Sequence, residues 1–524
     1  MKRALAAALA ALVLCAYAQP AAAQAAGTPA SFDILEFEVE GNSLLSALQI
    51  ERAVYPFLGP GGSIGHVEKA RTALERAYHD AGFLTILVDI PEQHVREGVV
   101  RLRVTEGAVE RLRVQGSRYY SQGAIRERLP ALVEGSPPFF PELQQQLDSL
   151  NRGADRRVTP TLKQGSAPGT VQVDLGVEDK LPLHASAELN NRYSANTTRL
   201  RLSGMLRYDN LWQSDHSLTL NAQISPQDTD EVQVLSASYL LPLARSANLL
   251  SFYFVDSRSD VAAVGALGVI GRGQISGVRA IFPLAARGGY YHNLSLGMDY
   301  KDFDESVDLQ GADSFNTPIN YAAAFAQYGG TVQDKRGLTQ FNAALNFGLR
   351  GLFGTTEQEF ANKRFKAHAN YGYLRADLQR THTLPAQWSL VGRLDAQAAN
   401  QALISNEQFV AGGYDSVRGY LEAEQLGDSG LRGSLELRTP GFDTGLQAIQ
   451  QLNLIGFAEG AGLRVRDPLP SQTARFTLAS FGIGARLRAW QRLSAALDLA
   501  WPLKTTSFTE RGDTVLKFRL TYEY

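Results

Sequence analysis

The chain has 524 residues, of which 44% are hydrophobic, with 48 glycines, 20 tyrosines and a formal net charge of −2. This length exceeds one ordinary soluble domain and predicts several domains or one very large architecture. Past the N-terminal region no apolar run is long enough to cross a bilayer as a helix, which excludes a helical membrane protein. The charge shows no basic excess, so nucleic acid is not expected as a partner.

The first 25 residues have the order of a secretory signal peptide. A basic start is followed by an apolar stretch from Ala4 to Ala16 and by small residues around Ala23. Cys15, the only cysteine, lies inside this segment, so the mature chain is expected to contain no thiol and no disulfide. We therefore expect a protein that leaves the cytoplasm after removal of residues 1–25.

A compact α+β module is predicted directly after this segment. Phe32 to Val39 has the pattern of a strand, and His66 to Ala81 places apolar residues at helical spacing. Gly82 is suited to end that helix as a left-handed cap. The β-rich runs Leu84 to Ile90 and Val99 to Val104 complete a unit with the order strand, helices, strand, strand.

The opening pattern of this module returns about 75 residues later. Val39-Glu40-Gly41-Asn42 is echoed by Val114-Gln115-Gly116-Ser117. A helical stretch from Leu143 to Leu150 and an alternating strand from Val171 to Val177 follow the second copy. The sequence therefore predicts an internal repeat, with a second module over residues 108–180.

From Leu181 to Tyr524 the chain consists of segments of about ten residues that alternate apolar and polar positions between turns. The last segment places two sets of side chains on opposite faces, namely Leu516, Phe518, Leu520, Tyr522 and Tyr524 on one and Lys517, Arg519, Thr521 and Glu523 on the other. The first face suits lipid and the second a wet lumen. We expect an all-β, antiparallel transmembrane barrel, which at about 20 to 22 residues per strand and loop has about 16 strands.

The first module contains a run of residues that is similar to the first POTRA (polypeptide-transport-associated) domain of one transporter family. The run comprises Gly82-Phe83, Thr85, Pro91-Glu92-Gln93, Gly98, Leu102 and Thr105-Glu106-Gly107. The chain resembles the outer-membrane transporters of two-partner secretion (TpsB family, ShlB/FhaC/HecB type), in the superfamily that also contains the barrel-assembly protein BamA. The resemblance implies a ShlB-type POTRA domain over residues 32–107 and a second POTRA domain over residues 108–180.

The most specific stretch of the resemblance lies in the last third of the chain. It contains Asn406-Glu407-Gln408-Phe409, Gly412-Gly413, Ser416-Val417-Arg418-Gly419-Tyr420, Gly427-Asp428-Ser429-Gly430 and Glu436-Leu437. In the family the Val-Arg-Gly-Tyr tetrapeptide, here Val417, Arg418, Gly419 and Tyr420, forms the tip of a long loop that folds back into the barrel. The resemblance implies such an inward loop around residues 405–432.

The chemistry of this tip points to a carboxylate partner. Gly419 permits a positive φ beside Arg418, and a guanidinium inside a barrel needs carboxylates because its five donors remain charged at any working pH. The family's partner is an Asp in a Phe-x-Asp-x-Gly strand motif; the matching run is Phe457-Ala458-Glu459-Gly460-Ala461, with Glu for Asp and Ala for the final Gly. The resemblance implies that Phe457 and Glu459 hold the tip at the wall. The alternative for Glu459 is an ordinary lumen-facing carboxylate.

Two expectations concern the ends of the mature chain. Many of these transporters begin with a plug helix, but only a few residues separate the expected cleavage site from Phe32, so no plug helix is expected. At the other end, the aromatic residues Tyr522 and Tyr524 are expected to act as the assembly signal read by the barrel-assembly machinery.

The resemblance implies an outer-membrane pore whose N-terminal domains lie in the periplasm. Its partner would be an unfolded secreted protein with an N-terminal secretion domain, exported without nucleotide hydrolysis. The sequence contains no phosphate-binding loop, zinc motif or serine-hydrolase elbow, so no enzymatic activity, cofactor or metal is expected. The alternatives are a BamA-like assembly factor and a passive solute porin; two modules favour secretion over assembly, and a porin would leave the modules without a purpose.

Overall fold

The computed structural model describes residues 31–243, 246–259, 261–264, 267–304, 306–307, 315–442 and 444–524. The predicted signal peptide and the short segment that follows it lie outside these residues. The chain divides into two compact units, Met1–Lys180 and Leu181–Tyr524. Among the described residues, no helix combines the length and the apolar character that crossing a bilayer requires.

The described part of the N-terminal unit consists of two successive α+β halves. The first half contains β1 (Phe32–Ile34), β2 (Glu36–Glu40), α1 (Ala47–Val54), β3 (Gly59–Gly62), α2 (Ile64–Asp80), β4 (Leu87–Asp89) and β5 (Val99–Thr105). The second half contains β6 (Ala108–Gln115), α3 (Gln122–Glu127), α4 (Phe140–Leu150), β7 (Arg156–Gln164) and β8 (Thr170–Asp179). Short 3-10 helices follow α1 and α3, at Tyr55–Phe57 and Pro130–Leu132.

Each half folds around its own three-stranded sheet. In the first, β5 lies between β2 and β4; in the second, β8 lies between β6 and β7. The outer strands β2 and β6 run parallel to the central strand, and the other pairings are antiparallel. Leu74 and Tyr78 of α2 belong to the core of the first half, and Leu143 and Leu150 of α4 to that of the second.

The repeated glycines, Gly41 and Gly116, have the same steric role in the two halves. They follow β2 and β6 with φ angles of 83° and 85°. A Cβ added to either would lie 2.4 Å from a carbonyl oxygen, that of Val104 in the first half and that of Val177 in the second. Only glycine tolerates both the angle and the close approach, so the same requirement recurs at the repeated position.

The strand predicted from Phe32 to Val39 is divided in the structure. β1 pairs with β3, whereas β2 pairs with β5. Leu35, between them, is exposed, because the chain passes there from one sheet to the other. The prediction of one continuous strand was wrong at this residue.

The second unit is a closed barrel of 16 antiparallel strands, which confirms the fold class and the strand number expected from its length. The strands up to the middle of the barrel are β9 (Leu183–Asn190), β10 (Arg201–Leu211), β11 (His216–Ile224), β12 (Gln233–Pro242), β13 (Leu249–Ser257), β16 (Gly273–Pro283), β17 (Tyr290–Phe303) and β20 (Ile319–Asp334). The remaining strands are β21 (Gly337–Gly348), β22 (Gly372–Thr383), β23 (Ser389–Ala399), β26 (Ser429–Arg438), β27 (Ile449–Arg464), β28 (Arg475–Ala489), β29 (Leu493–Pro502) and β30 (Val515–Glu523). β30 pairs back with β9 and closes the barrel.

Short elements occupy the connections between barrel strands. In the described part of these connections, β14 (Val261–Val264) pairs with β15 (Leu267–Ile270), β18 (Ser306–Val307) with β19 (Phe315–Asn316), and β24 (Phe409–Ala411) with β25 (Gln425–Gly427), each antiparallel. The helical elements are α5 (Glu357–Lys363) and the 3-10 helices Leu352–Gly354, Pro385–Gln387 and Ser405–Glu407.

The two faces of the last strand differ as the alternation in the sequence predicted. On β30, Leu516, Leu520 and Tyr522 are 48%, 40% and 49% exposed, whereas Lys517 is fully buried. Exposed apolar residues on the outside and buried polar residues on the inside are typical of a barrel that faces lipid.

Candidate functional site

The inward loop, residues 405–432, connects β23 to β26 and forms the candidate site. β24 and β25 pair at its base. Its tip, defined here as residues 412–424, begins at Gly412 and Gly413, whose φ angles of 104° and 107° turn the chain. The side chains of Val417 and Tyr420 are fully buried. The tip is therefore enclosed by the barrel.

Arg418 lies against β27 and contacts both residues that the resemblance assigned to it. Its Nε and Nη2 are 2.8 and 2.7 Å from Glu459 Oε1, and its backbone N–H donates to Glu459 Oε2 at 2.7 Å. The guanidinium carbon lies 3.5 Å from the ring centroid of Phe457, a cation–π contact. Arg418 is 5% and Glu459 8% exposed, so water screens this pair less than a surface pair.

Two further carboxylates complete the surroundings of Arg418. Glu436 Oε2 on β26 lies 2.9 Å from Arg418 Nη2, and Asp498 Oδ2 on β29 lies 3.6 Å from Nη1. Arg486 of β28 binds Asp498 with both terminal nitrogens, at 2.7 and 3.0 Å. Sequence reasoning missed this role of Glu436 and Asp498, because three strand registers bring them together. The available signal was that Asp498 lies on the polar side of an alternating strand.

Gly419 does not use the positive φ that glycine permits. Its lack of a side chain matters for a close approach instead. A Cβ added to Gly419 would lie 2.7 Å from the Cβ of Ser480 and 3.1 Å from the backbone nitrogen of Pro502. A side chain at this position would push the tip away from the wall, because the tip approaches β28 and the end of β29 closely. The turn itself is made at Gly412 and Gly413.

Tyr420 and Val417 fasten the tip by other means. The Tyr420 hydroxyl lies 3.1 and 2.9 Å from the carbonyl oxygens of Ala479 and Lys504, and it accepts the N–H of Lys504 at 3.1 Å. Val417 belongs to an apolar cluster with Leu463 of β27 and other wall residues. The whole tetrapeptide therefore contacts the wall.

The base of the loop is held by the buried carboxylate of Glu407. It accepts from Lys301 Nζ at 2.5 Å, from the Tyr321 hydroxyl at 2.6 Å and from the Tyr373 hydroxyl at 2.7 Å. These donors belong to β17, β20 and β22, a different part of the wall from the strands that hold the tip.

Asp428 provides a second anchor at the base. It is fully buried and binds both terminal nitrogens of Arg364 at 2.5 and 2.8 Å. It also accepts the N–H groups of Leu403 at 2.9 Å and Arg466 at 2.6 Å. Glu407 and Asp428 lie in the stretch that carries the resemblance, but the sequence alone assigned them no role.

The polar residues of the predicted POTRA motif bind main chain within the first half of the N-terminal unit. The Gln93 amide donates to the Arg101 carbonyl at 2.8 Å and accepts the Arg101 N–H at 2.7 Å, and its Nε2 is 3.3 Å from the Pro91 carbonyl. Glu106 accepts from the Ser43 N–H and hydroxyl at 2.6 and 2.5 Å. These contacts extend and close the first sheet.

The glycines of the same motif lie at the ends of elements. Gly82, with a φ of 99°, ends α2, and the N–H groups of Gly82 and Phe83 donate back into the last turn of the helix as in a Schellman motif. The Gly82 carbonyl accepts the N–H of Phe140 at 3.0 Å, which joins the two halves. Gly98 precedes β5, and Gly107 separates β5 from β6.

Tyr522 and Tyr524 lie at the end of β30 with exposed side chains. The Tyr524 N–H donates to the Ala185 carbonyl of β9 at 2.9 Å, and the Arg492 guanidinium lies 5.0 Å from the Tyr524 ring centroid. The terminal residue is therefore bound to its neighbours on both sides.

Comparison with known proteins matches both units. The family model described as haemolysin secretion/activation protein ShlB/FhaC/HecB matches residues 169–487, and that of the ShlB-type POTRA domain matches residues 32–107. The outer membrane transporter CdiB of Dickeya dadantii (strain 3937) is 22% identical over 506 residues, which cover 93% of this chain and 86% of that protein.

Solved structures show the same fold. CdiB from Escherichia coli superposes with a TM-score of 0.65 at 17% identity, covering 96% of this chain and 92% of that chain. BamA from Haemophilus ducreyi lacking POTRA domains 1–3 superposes with a TM-score of 0.57 at 13% identity, covering 94% and 100%. Because the first family model spans more than half of the sequence, the chain belongs to the ShlB/FhaC/HecB family, the outer-membrane transporters of two-partner secretion with periplasmic POTRA domains.

Proposed function

We propose that the N-terminal domains bind an unfolded partner protein through its N-terminal secretion domain and that the barrel exports this partner to the cell surface. Residues 32–107 and 108–180 act as two POTRA domains and residues 181–524 as the pore. The observation that carries the proposal is the tip of the inward loop, which is fastened to the wall by Arg418 and its carboxylates. In a lumen that admits water, ion pairs can be exchanged for hydrated groups, so such a fastening can be released and remade.

The second half of the N-terminal unit offers an open strand edge for recognition. β6, at one edge of its sheet, is covered by the segment before α4, since Val109 exchanges hydrogen bonds with Gly135 and Ser136. β7, at the other edge, has no further strand beside it among the described residues. The Asn151 side chain binds the N–H and the carbonyl of Val158 at 2.7 and 2.9 Å, so the open part of this edge follows Val158. An extended partner segment could add there as a strand, with main-chain hydrogen bonds supplying the affinity.

The proposed transport contains no catalytic step. The partner crosses without nucleotide hydrolysis, and its folding outside the cell supplies the direction. The apolar outer face of the barrel contacts outer-membrane lipid, and Tyr522 and Tyr524 form the signal by which the barrel-assembly machinery recognises the chain.

Deletion of residues 32–178 tests the division of labour. The intact and the shortened chain are each produced with a candidate partner; heat-modifiable migration on gels measures the folded barrel, and immunoblotting measures the partner in the medium. We expect the shortened barrel to insert and export to be lost. Export by the shortened chain at the intact level per inserted barrel would overturn the assignment of recognition to the N-terminal domains.

A further inference from the structure

The seam between the last and the first strand is the shortest pairing of the barrel. Residues 519–523 of β30 are in register with residues 186–190 of β9, which makes five pairs, whereas each other pair of neighbouring barrel strands shares at least eight. Residues 515–518 of β30 therefore have no strand partner on this side. The main-chain donors and acceptors of such an edge must be satisfied in another way.

Asn191 supplies these hydrogen bonds, mainly with its side chain; its backbone N–H also donates to the Phe518 carbonyl at 3.4 Å. Its Nδ2 donates to the Leu516 carbonyl at 2.7 Å, and its Oδ1 accepts the Phe518 N–H at 2.8 Å. A side-chain amide carries a donor and an acceptor, as a peptide group does, so it continues the ladder beyond the last strand pair. Gln93 has the same relation to Arg101 in the N-terminal unit.

The residues after Asn191 join the seam to the inward loop. Arg192 Nη2 lies 2.7 Å from Asp415 Oδ2, and its Nε lies 3.5 Å from Glu422 Oε1. The backbone N–H of Glu422 donates to the Tyr193 carbonyl at 3.0 Å. The side of the seam that belongs to the first strand is therefore bound to the tip through both side chains and main chain.

The last strand contacts the same part of the tip. The Tyr414 ring lies beside two guanidinium groups. Its centroid is 5.8 Å from the guanidinium carbon of Arg192 and 5.3 Å from the guanidinium carbon of Arg519 on β30. The ammonium of Lys517, also on β30, lies 5.5 Å from the ring centroid of Tyr193. The tip, the segment after β9 and the strand β30 form one set of contacts across the seam.

We propose that the tip of the inward loop holds the seam between β9 and β30 closed, with Asn191 and Arg192 as positioning residues that connect the tip to the seam. When the tip leaves its place, Arg192 loses two carboxylates and Tyr414 leaves its position beside both strands. The end of the seam next to Asn191 then opens more readily. The inference rests on the proposed function only in requiring that the tip moves. The new claim is that this movement weakens the pairing of β9 with β30 next to Asn191.

Hydrogen–deuterium exchange of the purified full chain in detergent measures the seam. Asn191→Ala and Arg192→Gln remove contacts at the seam, and exchange in peptides covering residues 515–520 should quicken by about fivefold, the factor expected for one hydrogen bond. Arg418→Ala removes the ion pairs that bind the tip to β26, β27 and β29. Faster exchange of β30 in this variant is the signature of coupling, because the contacts of the Arg418 side chain lie on strands other than β30. Arg380→Gln, which removes an ion pair elsewhere on the wall, is the control.

Heat-modifiable migration verifies that each variant is a folded barrel before exchange is compared. If residues 515–520 exchange at the wild-type rate in Arg192→Gln or in Arg418→Ala, the proposal is overturned. This holds even where Asn191→Ala exchanges faster, because Asn191 would then stabilise the seam independently of the tip. Equal acceleration by Arg380→Gln also overturns it, because the barrel would then be loosened in general. None of these readouts measures export. A result against coupling between the tip and the seam can therefore be distinguished from a result against the proposed export function.

Discussion

Arg418 binds Glu459 through its backbone as well as its side chain. Glu459 Oε1 accepts from Nε and Nη2, and Oε2 accepts from the backbone N–H of the same residue. The carboxylate therefore fixes the main chain of the tip, and substitution of the arginine side chain removes only part of the interaction. The same substitution also leaves Glu436 and Glu459 without the cation that both of them bind.

Arg418→Ala should lower export per inserted barrel, because breaking a buried ion pair costs about 3–5 kcal/mol and removes the preference of the tip for its closed position. Arg418→Lys should restore export in part, since one ammonium cannot span Glu459 and Glu436 as a guanidinium does. The measurement is partner protein in the medium divided by heat-modifiable barrel. The control Arg380→Ala breaks an exposed pair with Asp334 and should export normally. Normal export by Arg418→Ala would show that the tip need not be fastened there.

Glu459→Gln should partly repair the stability of Arg418→Ala. Without Arg418, Glu459 is left buried beside Glu436, which keeps its ion pair with Arg438, and neutralising Glu459 relieves the repulsion between the two carboxylates. We expect the double variant to recover about 1–3 kcal/mol relative to the sum of the single changes, measured from the temperature at which each barrel unfolds on gels. Strictly additive effects would mean that the two residues do not act as a pair.

Asp428→Asn should destabilise the barrel much more than Asp467→Asn. Asp428 is fully buried on the Arg364 guanidinium, and loss of its charge leaves that cation without a counter-charge, at a cost of about 3–5 kcal/mol. Asp467 pairs with Lys366 at 2.9 Å where both side chains are exposed, so its substitution should have little effect. Unfolding temperatures of the two variants provide the comparison. Equal temperatures would contradict the anchoring role of Asp428.

Phe518→Arg should reduce the amount of barrel in the membrane, because it places a charge on the lipid face. If residue 518 lies near the bilayer midplane, the substitution destabilises the inserted barrel by about 2–4 kcal/mol. Thr521→Arg should be mild, since the Thr521 hydroxyl lies 3.2 Å from the Glu188 carboxylate, which can accept a guanidinium. Quantitative immunoblots of outer membranes compare the two. Equal losses would show that the faces of β30 are assigned wrongly.

The architecture was largely predictable because it depends on periodic patterns. The alternation of residues 516–524 identified both faces of the last strand, and the length of the second unit predicted its strand number. Gly82 was recognised as a helix end because glycine adopts the left-handed conformation without a side-chain clash. Leu35 was not recognised as a break, because an apolar residue inside a β-rich run carries no local signal that the chain changes sheets.

The site was predictable only where one segment carries its own pattern. The tip tetrapeptide and the run around Glu459 are contiguous and could be recognised. Glu436 and Asp498 could not, because each is one polar residue on an alternating strand, and only the pairing of four strands brings them to Arg418. The reason for Gly419 was missed because a close approach to Ser480 depends on packing and leaves no trace in the neighbouring residues.

The central claim, that the tip must move for the partner to pass, is tested most directly by a reversible lock. In a background without Cys15, Gly419→Cys and Ser480→Cys place two cysteines where an added Cβ on residue 419 lies 2.7 Å from the Ser480 Cβ. A disulfide needs about 3.8 Å between these atoms, so the bond forms after a shift of about 1 Å. The measurement is export per inserted barrel before and after reduction, with each single cysteine variant as control. The Gly419→Cys single variant carries the same displacement of the tip without the bond. We therefore predict no export by the oxidised double variant and recovery, on reduction, to the level of that single variant; equal export in both states would contradict the account.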